Sequence, residues 1–466
     1  MRLFARFERG LARHLRLFMV TVAALSVRLN WNLRIHPPAE FAYSDMGGYI
    51  ERATAMLTQP WVPRPWFALF PYGTHVFIAL VKLIAGKDNK TALGVAFALL
   101  GAIAVAYTYA TVERFTQRGF ARLFAGLVLI FYYPWISLGG YALSETPFAA
   151  CVAATAFYGL RLADRGRPRD AWLLGISLAL GTIMRPQHLV SAAFLLGHWL
   201  WRKQAWKNMH RTLWIRVFVP LGVILAFSSV RLYWHTSNHW KGGIIGLVST
   251  NGPLNYAFGR CHATGIEANA KDGKGFFGPP PFGSLLYFGK DKAHPPILPL
   301  DPAMGETVRF SGHMWDAPVI YDVARQCVQK TGYYRQFKYA LTHVVLLWGY
   351  NIPWPDQGQK PQFRDPMLLW SGLHNIFILP PAALLLFLSF RKKRARMMLV
   401  SLHVWAEVLV AILYFGDTRY RVPYDGLLIL LAAAGYAAIP SLWRALRRVI
   451  ELSSTKKLAP QSVVPR

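Results

Sequence analysis

Long apolar runs, separated by short loops that carry basic residues, dominate the pattern of this sequence. A helix that crosses a bilayer needs about 20 mostly apolar residues, because backbone groups in hydrocarbon must bond within their own segment. The pattern predicts ten such helices, at residues 17–35, 91–112, 120–138, 143–162, 170–186, 187–201, 213–230, 368–390, 397–415 and 424–443. We therefore predict an all-α polytopic membrane protein.

Two of these helices are short. Residues 170–186 and 187–201 are separated only by the turn at Arg185-Pro186, and both outer flanks are basic, which favours a hairpin over one long helix.

The apolar run at 339–354 does not fit the count, because a further crossing would move the basic run at 391–396 to the other side. We predict an interfacial or re-entrant helix there, with Trp348, Tyr350 and Trp354 at headgroup depth. Residues 72–85 have the same character.

Composition narrows the class of protein further. Of the 466 residues, 54% are hydrophobic and 16% are charged, which excludes an ordinary soluble domain and a disordered chain. The net charge of +30 would suggest nucleic acid as a partner, but the basic residues lie between apolar runs rather than on one soluble face, so we expect no nucleic acid. Three cysteines in so long a chain exclude a disulfide scaffold.

Basic residues predict the orientation. Six Lys/Arg clusters fall on one side of ten crossings, so the positive-inside rule places them and both termini in the cytoplasm. The protein is then expected in the cytoplasmic (inner) membrane of a bacterium. The acidic residues Asp45, Glu145, Asp417 and Asp425 face outward, which makes the extracytoplasmic face the expected working face.

The predicted crossings divide the chain into four parts. Residues 1–230 form an N-terminal transmembrane module whose first outer loop is 36–90; residues 231–367 form an extracytoplasmic loop or lid of mixed structure that includes the interfacial helix; residues 368–443 form the C-terminal transmembrane helices; and residues 444–466 form a partly disordered cytoplasmic tail. Cys261 and Cys327 both fall in the large loop, where an oxidising compartment would let them pair; two unpaired thiols remain the alternative.

Two outward carboxylates are candidates for acid–base chemistry. Asp45 precedes an amphipathic pattern at Ile50, Ala53 and Leu57, so it is either a helix N-cap, a base at the membrane surface, or both. Glu145 is either a first-turn residue that favours the helix dipole or a second carboxylate that orients a hydroxyl.

Cations in the outer loops are candidates for binding phosphate. Arg419 and Arg421 lie where the positive-inside rule gives no reason for arginine, and Arg185 lies at the outer end of 170–186. Alternate residues of a non-helical RYR segment would point to opposite sides, so one of the pair is expected to face a cleft. The alternative is simple pairing with Asp417, Asp425 or lipid phosphates.

Other ionisable residues give weaker signals. Glu407 and His403 lie four residues apart in the middle of a predicted crossing, as a functional pair or as a mutual hydrogen bond. His235 and His239 lack the carboxylate or CxxC spacing of a metal site, and we expect none.

Taken together, these segments resemble the GT-C glycosyltransferases, and in particular bacterial proteins similar to protein O-mannosyltransferases and to the lipid A aminoarabinose transferase. The resemblance rests on Asp45 followed by Tyr49 in the first outer loop, FPYGTHVFIALVKLIAG from Phe70, the segment 143–186, and RYRVPYDGLLILLAAAGYAA at 419–438. It covers most of 1–230 and 368–443.

The resemblance implies an outward active site that takes a polyprenyl-phosphate sugar as donor and a lipid, glycan or protein hydroxyl as acceptor, with no cofactor. Asp45 would be the base, Glu145 would assist, and Tyr49 would line the cleft. The chain has Ser44-Asp45 where relatives often have an acidic pair, and it lacks the lysine that some carry before the Pro-rich segment. Arg64 and His75, together with the outward arginines above, are the expected substitutes for binding the donor phosphate.

Two other functions remain open. A lipid or solute transporter or flippase would need no chemistry, but transporters tend to show inverted repeats and interrupted helices near the midplane, whereas charges here concentrate at the outer ends. A polymerase or ligase of lipid-linked glycans would use the same cavity with a pyrophosphate-linked donor. The sequence favours glycosyl transfer, with inversion at the anomeric carbon.

Overall fold

The structure is a computed structural model that describes residues 2–206, 208–237, 246–261, 265–268, 307–310, 317–349, 352–391 and 394–439. Helices form nearly all of this part of the chain. They are α1 (Arg2–Asn30), α2 (Ser44–Thr58), α3 (Pro65–Leu69), α4 (Gly73–Ala85), α5 (Lys90–Phe115), α6 (Gly119–Phe131), α7 (Tyr133–Gly139), α8 (Glu145–Arg165), α9 (Pro168–Met184), α10 (His188–Trp201), α11 (Arg211–Thr236), α12 (Gly252–Arg260), α13 (Ala317–Thr331), α14 (Tyr333–Trp348), α15 (Pro361–Leu373), α16 (Leu379–Leu388), α17 (Ala395–Leu413) and α18 (Thr418–Arg421). A final helix, α19, covers 425–439.

Short turns of other helix types join some of these elements. A π-helical turn, Trp31–Ile35, extends α1, and a second, His374–Ile378, joins α15 to α16. The turns of 3-10 helix are Lys203–Trp206, Asp356–Gly358 and Val422–Tyr424, and the last of these joins α18 to α19.

The all-α membrane architecture is confirmed. Within the described residues, six helical stretches are long and apolar enough to cross a membrane: Lys90–Phe115, Gly119–Gly139, Arg211–Thr236, Pro361–Leu388, Ala395–Leu413 and Thr418–Ile439. The other four predicted crossings are also helical, as α1 with its π turn, α8, α9 and α10. Ten crossings with both termini cytoplasmic therefore remain a prediction.

Helices α5, α8 and α9 form the centre of the bundle, with α1 packed on α5 and α11 packed on α9. The approach of α4 to α9 depends on Gly73, where a Cβ atom would lie 2.8 Å from the backbone of Ile183. Any larger residue would push these helices apart. The contact fixes the start of α4, two residues before His75.

The large loop folds against the end of the bundle where its residues are described. Cys261, directly after α12, forms a disulfide with Cys327 of α13, which agrees with the pairing expected from sequence. Arg260 donates hydrogen bonds of 2.8 and 2.6 Å to the carbonyls of Ile412 and Leu413, at the C-terminus of α17. Strands β1 (Gly265–Ala268) and β2 (Thr307–Phe310) pair in parallel.

Two boundaries differ from the sequence prediction. The helix expected at 339–354 is α14, which begins at Tyr333 and ends at Trp348. The prediction missed its first two turns because they are polar, and the apolar run begins only after them. Tyr350, His239 and most of the tail beyond 439 lie outside the described residues.

Candidate active site

Asp45 lies in the first turn of α2, one of the surface helices of the first outer loop. The cap position belongs to Tyr43, whose side chain makes no capping bond, so the structure contradicts a capping role for Asp45. The Asp45 side chain is 28% exposed, which leaves its carboxylate accessible. Of the two local roles, the capping bond is absent, while the first-turn position still favours the negative charge.

Glu145 is the first residue of α8, and its side chain is buried. Arg185 follows α9 at the turn that begins α10, so the predicted break between two helices is confirmed, while their arrangement as a hairpin stays a prediction. From this turn, Arg185 Nη2 lies 2.6 Å from Glu145 Oε1 and Arg185 Nε donates to Ser144 Oγ at 3.1 Å. The end of α9 and the start of α8 are therefore joined by a buried ion pair.

Arg419 connects the two carboxylates. Its Nε contacts Glu145 Oε1, and its Nη1 and Nη2 each lie 3.4 Å from Asp45 Oδ2. Asp417 caps the short helix α18 by accepting a 2.6 Å bond from the Arg419 backbone N–H. This bond fixes the backbone position from which the Arg419 side chain extends. The ring of Trp354 covers the guanidinium at 4.5 Å. Asp45, Glu145, Arg185 and Arg419 therefore form one cluster, which we call the carboxylate cluster.

Arg421 points away from this cluster. It is buried and pairs with Asp425, with Nε 3.0 Å from Oδ1. Asp425 also accepts a 2.6 Å bond from Tyr132, whose hydroxyl contacts His374. The structure thus corrects the prediction of Arg421 as a phosphate ligand: it is the partner of a buried carboxylate, which was the alternative interpretation.

A second polar cluster lies further along α2. Arg52 has a buried side chain whose Nε and Nη1 make no hydrogen bond, and its guanidinium packs on the rings of Phe70, Trp66 and Tyr49 at 4.4, 5.1 and 5.7 Å. Within the described residues, no carboxylate forms an ion pair with it. Burial lowers the pKa of Arg52. A buried cation without an ion-pair partner is costly, so this position favours a negative ligand.

His75 and Arg231 complete this second group, which we call the Arg52 cluster. Arg231 Nη2 donates to His75 Nε2 at 3.1 Å, so His75 carries its proton on Nδ1, an atom without a partner. Arg231 Nη1 is likewise buried and unsatisfied. Burial holds the pKa of His75 well below its usual value, and the charges of Arg231 and Arg52 lower it further. The unsatisfied atoms of the Arg52 cluster are therefore all hydrogen-bond donors.

Tyr49 links the two clusters. It lies one helical turn after Asp45, its ring stacks on His75 with a centroid distance of 6.3 Å, and the Arg52 guanidinium lies 5.7 Å from the centre of the same ring. Burial raises its pKa to about 12, so its hydroxyl stays protonated. The prediction that Tyr49 lines the cleft remains a prediction, but the structure places the residue between the groups that a cleft would need.

Arg64 lies outside both clusters. Its guanidinium contacts Gln59 and packs over Phe67, while its backbone N–H donates to His235 Nδ1 at 3.1 Å. This loop position explains why Arg64, proposed from sequence as a phosphate ligand, does not meet the carboxylates.

The two ionisable residues in the middle of α17 do not contact each other. Glu407 accepts a 2.8 Å bond from Gln187, and both ring nitrogens of His403 lack hydrogen-bond partners, so the alternative of a mutual hydrogen bond is wrong. Among the described residues, no group of three His, Cys, Asp or Glu is placed to hold a metal ion.

Sequence reasoning missed Arg52 and Arg231. Arg52 lies seven residues after Asp45, a spacing that puts both on one face of a helix, and this periodicity could have identified it. Arg231 was assigned to the boundary between a crossing and the large loop. Because α11 continues to Thr236, Arg231 belongs to the helix and faces α4.

Comparisons with known proteins agree with the predicted resemblance. Residues 71–234 match the family described as dolichyl-phosphate-mannose-protein mannosyltransferase, and this segment contains His75, Glu145, Arg185 and Arg231. The resemblance to GT-C glycosyltransferases is thereby confirmed over that segment. One similar solved structure is ArnT from Cupriavidus metallidurans in the apo state, with 14% identity, coverage of 91% of this chain and 77% of that chain, and a TM-score of 0.38. No curated protein matches the chain.

Proposed function

We propose that this protein is an integral-membrane glycosyltransferase that moves a sugar from a polyprenyl-phosphate donor to a hydroxyl of a lipid, glycan or protein at the extracytoplasmic face. The observation that carries the proposal is the position of Asp45. An accessible carboxylate, tied to a buried carboxylate through Arg419, lies on the same helix as Arg52, a buried cation without an ion-pair partner among the described residues. Base and phosphate site are the two parts that such a transfer needs.

Asp45 is the proposed base. Of the two carboxylates it is the exposed one, whereas Glu145 is buried and held by both Arg185 and Arg419. The acceptor hydroxyl would give its proton to Asp45 while its oxygen attacks the anomeric carbon. The bond between that carbon and the phosphate oxygen breaks, and its electron pair leaves with the lipid phosphate. Attack from the side opposite the phosphate inverts the anomeric centre.

Glu145 and Arg185 are proposed to position rather than to react. Arg185 holds Glu145, and Glu145 in turn contacts Nε of Arg419. The Nη atoms of Arg419 are then left to contact Asp45. A base held in this way loses little orientational freedom when the acceptor arrives.

The Arg52 cluster is the proposed site of the donor phosphate. Phosphate oxygens only accept hydrogen bonds, and the free atoms of Arg52, Arg231 and His75 only donate. Arg419 and Arg185, favoured from sequence, already neutralise carboxylates in this structure. Arg419 lies beside the base, where it is proposed to hold the ionised carboxylate of Asp45 in place.

Incorporation of label from a radiolabelled polyprenyl-phosphate sugar into membrane lipids, glycans or proteins tests the proposal. Purified protein in lipid vesicles should transfer label, and the Asp45→Asn variant should not. The matched control is Glu51→Gln, which removes an exposed carboxylate from the same helix. Movement of the donor across the bilayer without transfer would instead indicate a flippase, and transfer only from a pyrophosphate-linked donor would indicate a polymerase or ligase.

A further inference from the structure

The end of the large loop lies against the carboxylate cluster. Residues 352–360, which we call the Trp354 segment, lead from the large loop into α15. The Trp354 ring lies over the guanidinium of Arg419, with 4.5 Å between the ring centre and Cζ. The same ring meets Tyr43 edge to face at a centroid distance of 6.2 Å, and Tyr43 lies two residues before Asp45. The Trp354 segment therefore lies beside both partners of the contact between Arg419 and Asp45.

The position of this segment is fixed by hydrogen bonds at two points. Asp356 is buried and accepts bonds of 2.6 Å from Ser137 Oγ and 2.8 Å from the hydroxyl of Tyr141. These two donors lie in α7 and in the turn that leads into α8. At the other end of the segment, Gln359 Nε2 donates a 2.7 Å bond to the hydroxyl of Tyr43. Moving the segment away from the cluster would leave a buried carboxylate without its donors, which is costly.

The contact between Arg419 and Asp45 is weak without such a cover. Its two N–O distances are 3.4 Å, and the Asp45 side chain is 28% exposed. Ion pairs with this much exposure contribute little, because water screens the charges and both side chains lose conformational freedom. An aromatic ring over the guanidinium excludes water from one of its faces, which strengthens the electrostatic attraction, and adds a cation–π interaction. Trp354 supplies both effects, and the Arg419 side chain is only 15% exposed.

We propose that Trp354 is a positioning residue of the transfer reaction. By covering the guanidinium of Arg419, it strengthens the contact that holds the Asp45 carboxylate for removal of the acceptor proton. The inference rests on the proposed function, in which Asp45 is the base, and it gives the large loop a part in the reaction. The alternative is a ring that only anchors the loop at headgroup depth, which is the position that the sequence predicts for Trp354.

The reactivity of Arg419 toward phenylglyoxal, a water-borne reagent for guanidinium groups, tests the cover without any need for activity. Peptide mass spectrometry of the protein in lipid vesicles measures the modification at each arginine. Trp354→Ala should raise the rate at Arg419 several-fold, because the substitution opens one face of the guanidinium to water. Arg325, an exposed arginine of α13, is the internal reference. Trp61→Ala, which removes an 81% exposed ring from the first outer loop, is the matched control and should leave both rates unchanged.

Turnover of the same variants tests the positioning role. Trp354→Ala should lower kcat by about two- to thirty-fold, the range that a cation–π contact accounts for. The KM for the donor should stay parental, because the Arg52 cluster keeps its contacts. Trp354→Phe retains a ring and should restore most of kcat, whereas Trp354→Leu retains apolar volume without a π face and should fall between the other two. The leucine variant also keeps the test decisive if the alanine variant folds poorly.

A double-mutant cycle with Arg419→Gln tests whether Trp354 acts through Arg419. In the Arg419→Gln background, Trp354→Ala should cause no further loss of kcat, because the guanidinium that the ring covers is already absent. A ring that anchors the loop at headgroup depth would cause the same loss in both backgrounds. Equal losses, a parental kcat in both Trp354→Ala and Trp354→Leu, or unchanged reactivity of Arg419 would each overturn the proposal.

Failure of the proposed function gives a different result. If the parent protein transfers no sugar, or if Asp45→Asn transfers at the parental rate, the assignment of the base fails and the positioning role fails with it. If transfer depends on Asp45 while the Trp354 variants behave as the parent does, only the role of Trp354 is overturned. The expected combination is an inactive Asp45→Asn, a slower Trp354→Ala and a newly reactive Arg419.

Discussion

Arg419 holds Asp45 from one side only: Nη1 and Nη2 both lie 3.4 Å from Oδ2, and no contact from Arg419 reaches the other carboxylate oxygen. Oδ1 is therefore the carboxylate oxygen that Arg419 leaves uncontacted.

Asp45→Asn should reduce transfer by about 10²- to 10⁴-fold, the usual cost of removing a general base. Since Asp45 makes no capping bond, thermal stability should stay close to that of the parent. Glu51→Gln should leave both quantities unchanged. Near-parental glycosyl transfer by Asp45→Asn would contradict the assignment and leave Glu145 as the candidate base.

Arg419→Gln and Arg421→Gln should separate catalysis from stability. Arg419→Gln should lower turnover by about 10²- to 10³-fold, because it removes a charge beside the reacting groups. Arg421→Gln leaves Asp425 buried without its cation and should cost about 3 kcal/mol of stability, with a smaller effect on turnover per folded molecule. Turnover normalised to folded protein, measured with thermal unfolding, distinguishes the two. A large loss of turnover in Arg421→Gln and a loss of stability alone in Arg419→Gln would instead indicate that the site lies at Asp425.

Arg52→Gln should raise the KM for the lipid-phosphate donor by about 10- to 100-fold, since a hydrogen bond to a charged group contributes strongly when buried. Arg52→Lys should restore only part of the affinity, because lysine lacks the guanidinium fork. Arg64→Gln, a loop arginine outside the Arg52 cluster, is the control and should have the parental KM. An unchanged KM in Arg52→Gln would contradict the phosphate assignment.

The pH dependence of stability should carry a contribution from Asp356, which accepts bonds from Ser137 and Tyr141. Burial raises its pKa from 3.8 to about 6, so the folded state holds this proton more tightly than the unfolded state. This contribution is complete below the unfolded pKa and is lost, by about 3 kcal/mol, as pH rises through the folded value. Asp356→Asn should flatten the dependence of Tm on pH between the two values. An identical slope in both proteins would refute this assignment.

Removal of the disulfide in Cys261→Ser/Cys327→Ser should lower the free energy of unfolding by about 2–4 kcal/mol, because the bond closes a long loop. The bond joins α12 to α13, and the neighbouring Arg260 caps α17, so the loss should be visible as earlier thermal unfolding. Cys151→Ser is the control, since Cys151 is a free thiol. Equal melting of the parent with and without reductant would argue against a stabilising role.

The helices could be predicted because their signal is local. Each predicted crossing is a run of apolar residues, and a run of that kind has few ways to satisfy its backbone except as a helix. The start of α14 could not be found in this way, because its first turns carry Tyr333, Tyr334 and Arg335 rather than an apolar run.

The candidate site was only partly readable. Asp45 and Glu145 stand out as outward carboxylates, but their contact depends on Arg419, which lies 274 residues after Glu145. No local pattern encodes a contact at that separation. Of Arg419 and Arg421, only Arg419 contacts the carboxylate cluster, and the segment is helical rather than extended; that one of the pair faces a cleft stays a prediction. Two residues apart on a helix also point in widely different directions, so both conformations give this result.

Helix α8 connects the two surfaces of the bundle as a single rod, with Glu145 fixed by Arg185 at one end and Asp164 fixed by Arg114 and Arg396 at the other. A helix held by ion pairs at both ends has little freedom to tilt or shift relative to the neighbouring helices. Hydrophobic mismatch with a thinner or thicker bilayer must then be absorbed by the lipid, at a cost of fractions of a kcal/mol for each ångström. Under the proposed function, the acyl-chain length of the host membrane would set how deeply the carboxylate cluster lies beneath the headgroups, and with it the distance between a lipid-linked donor and an acceptor from the aqueous side.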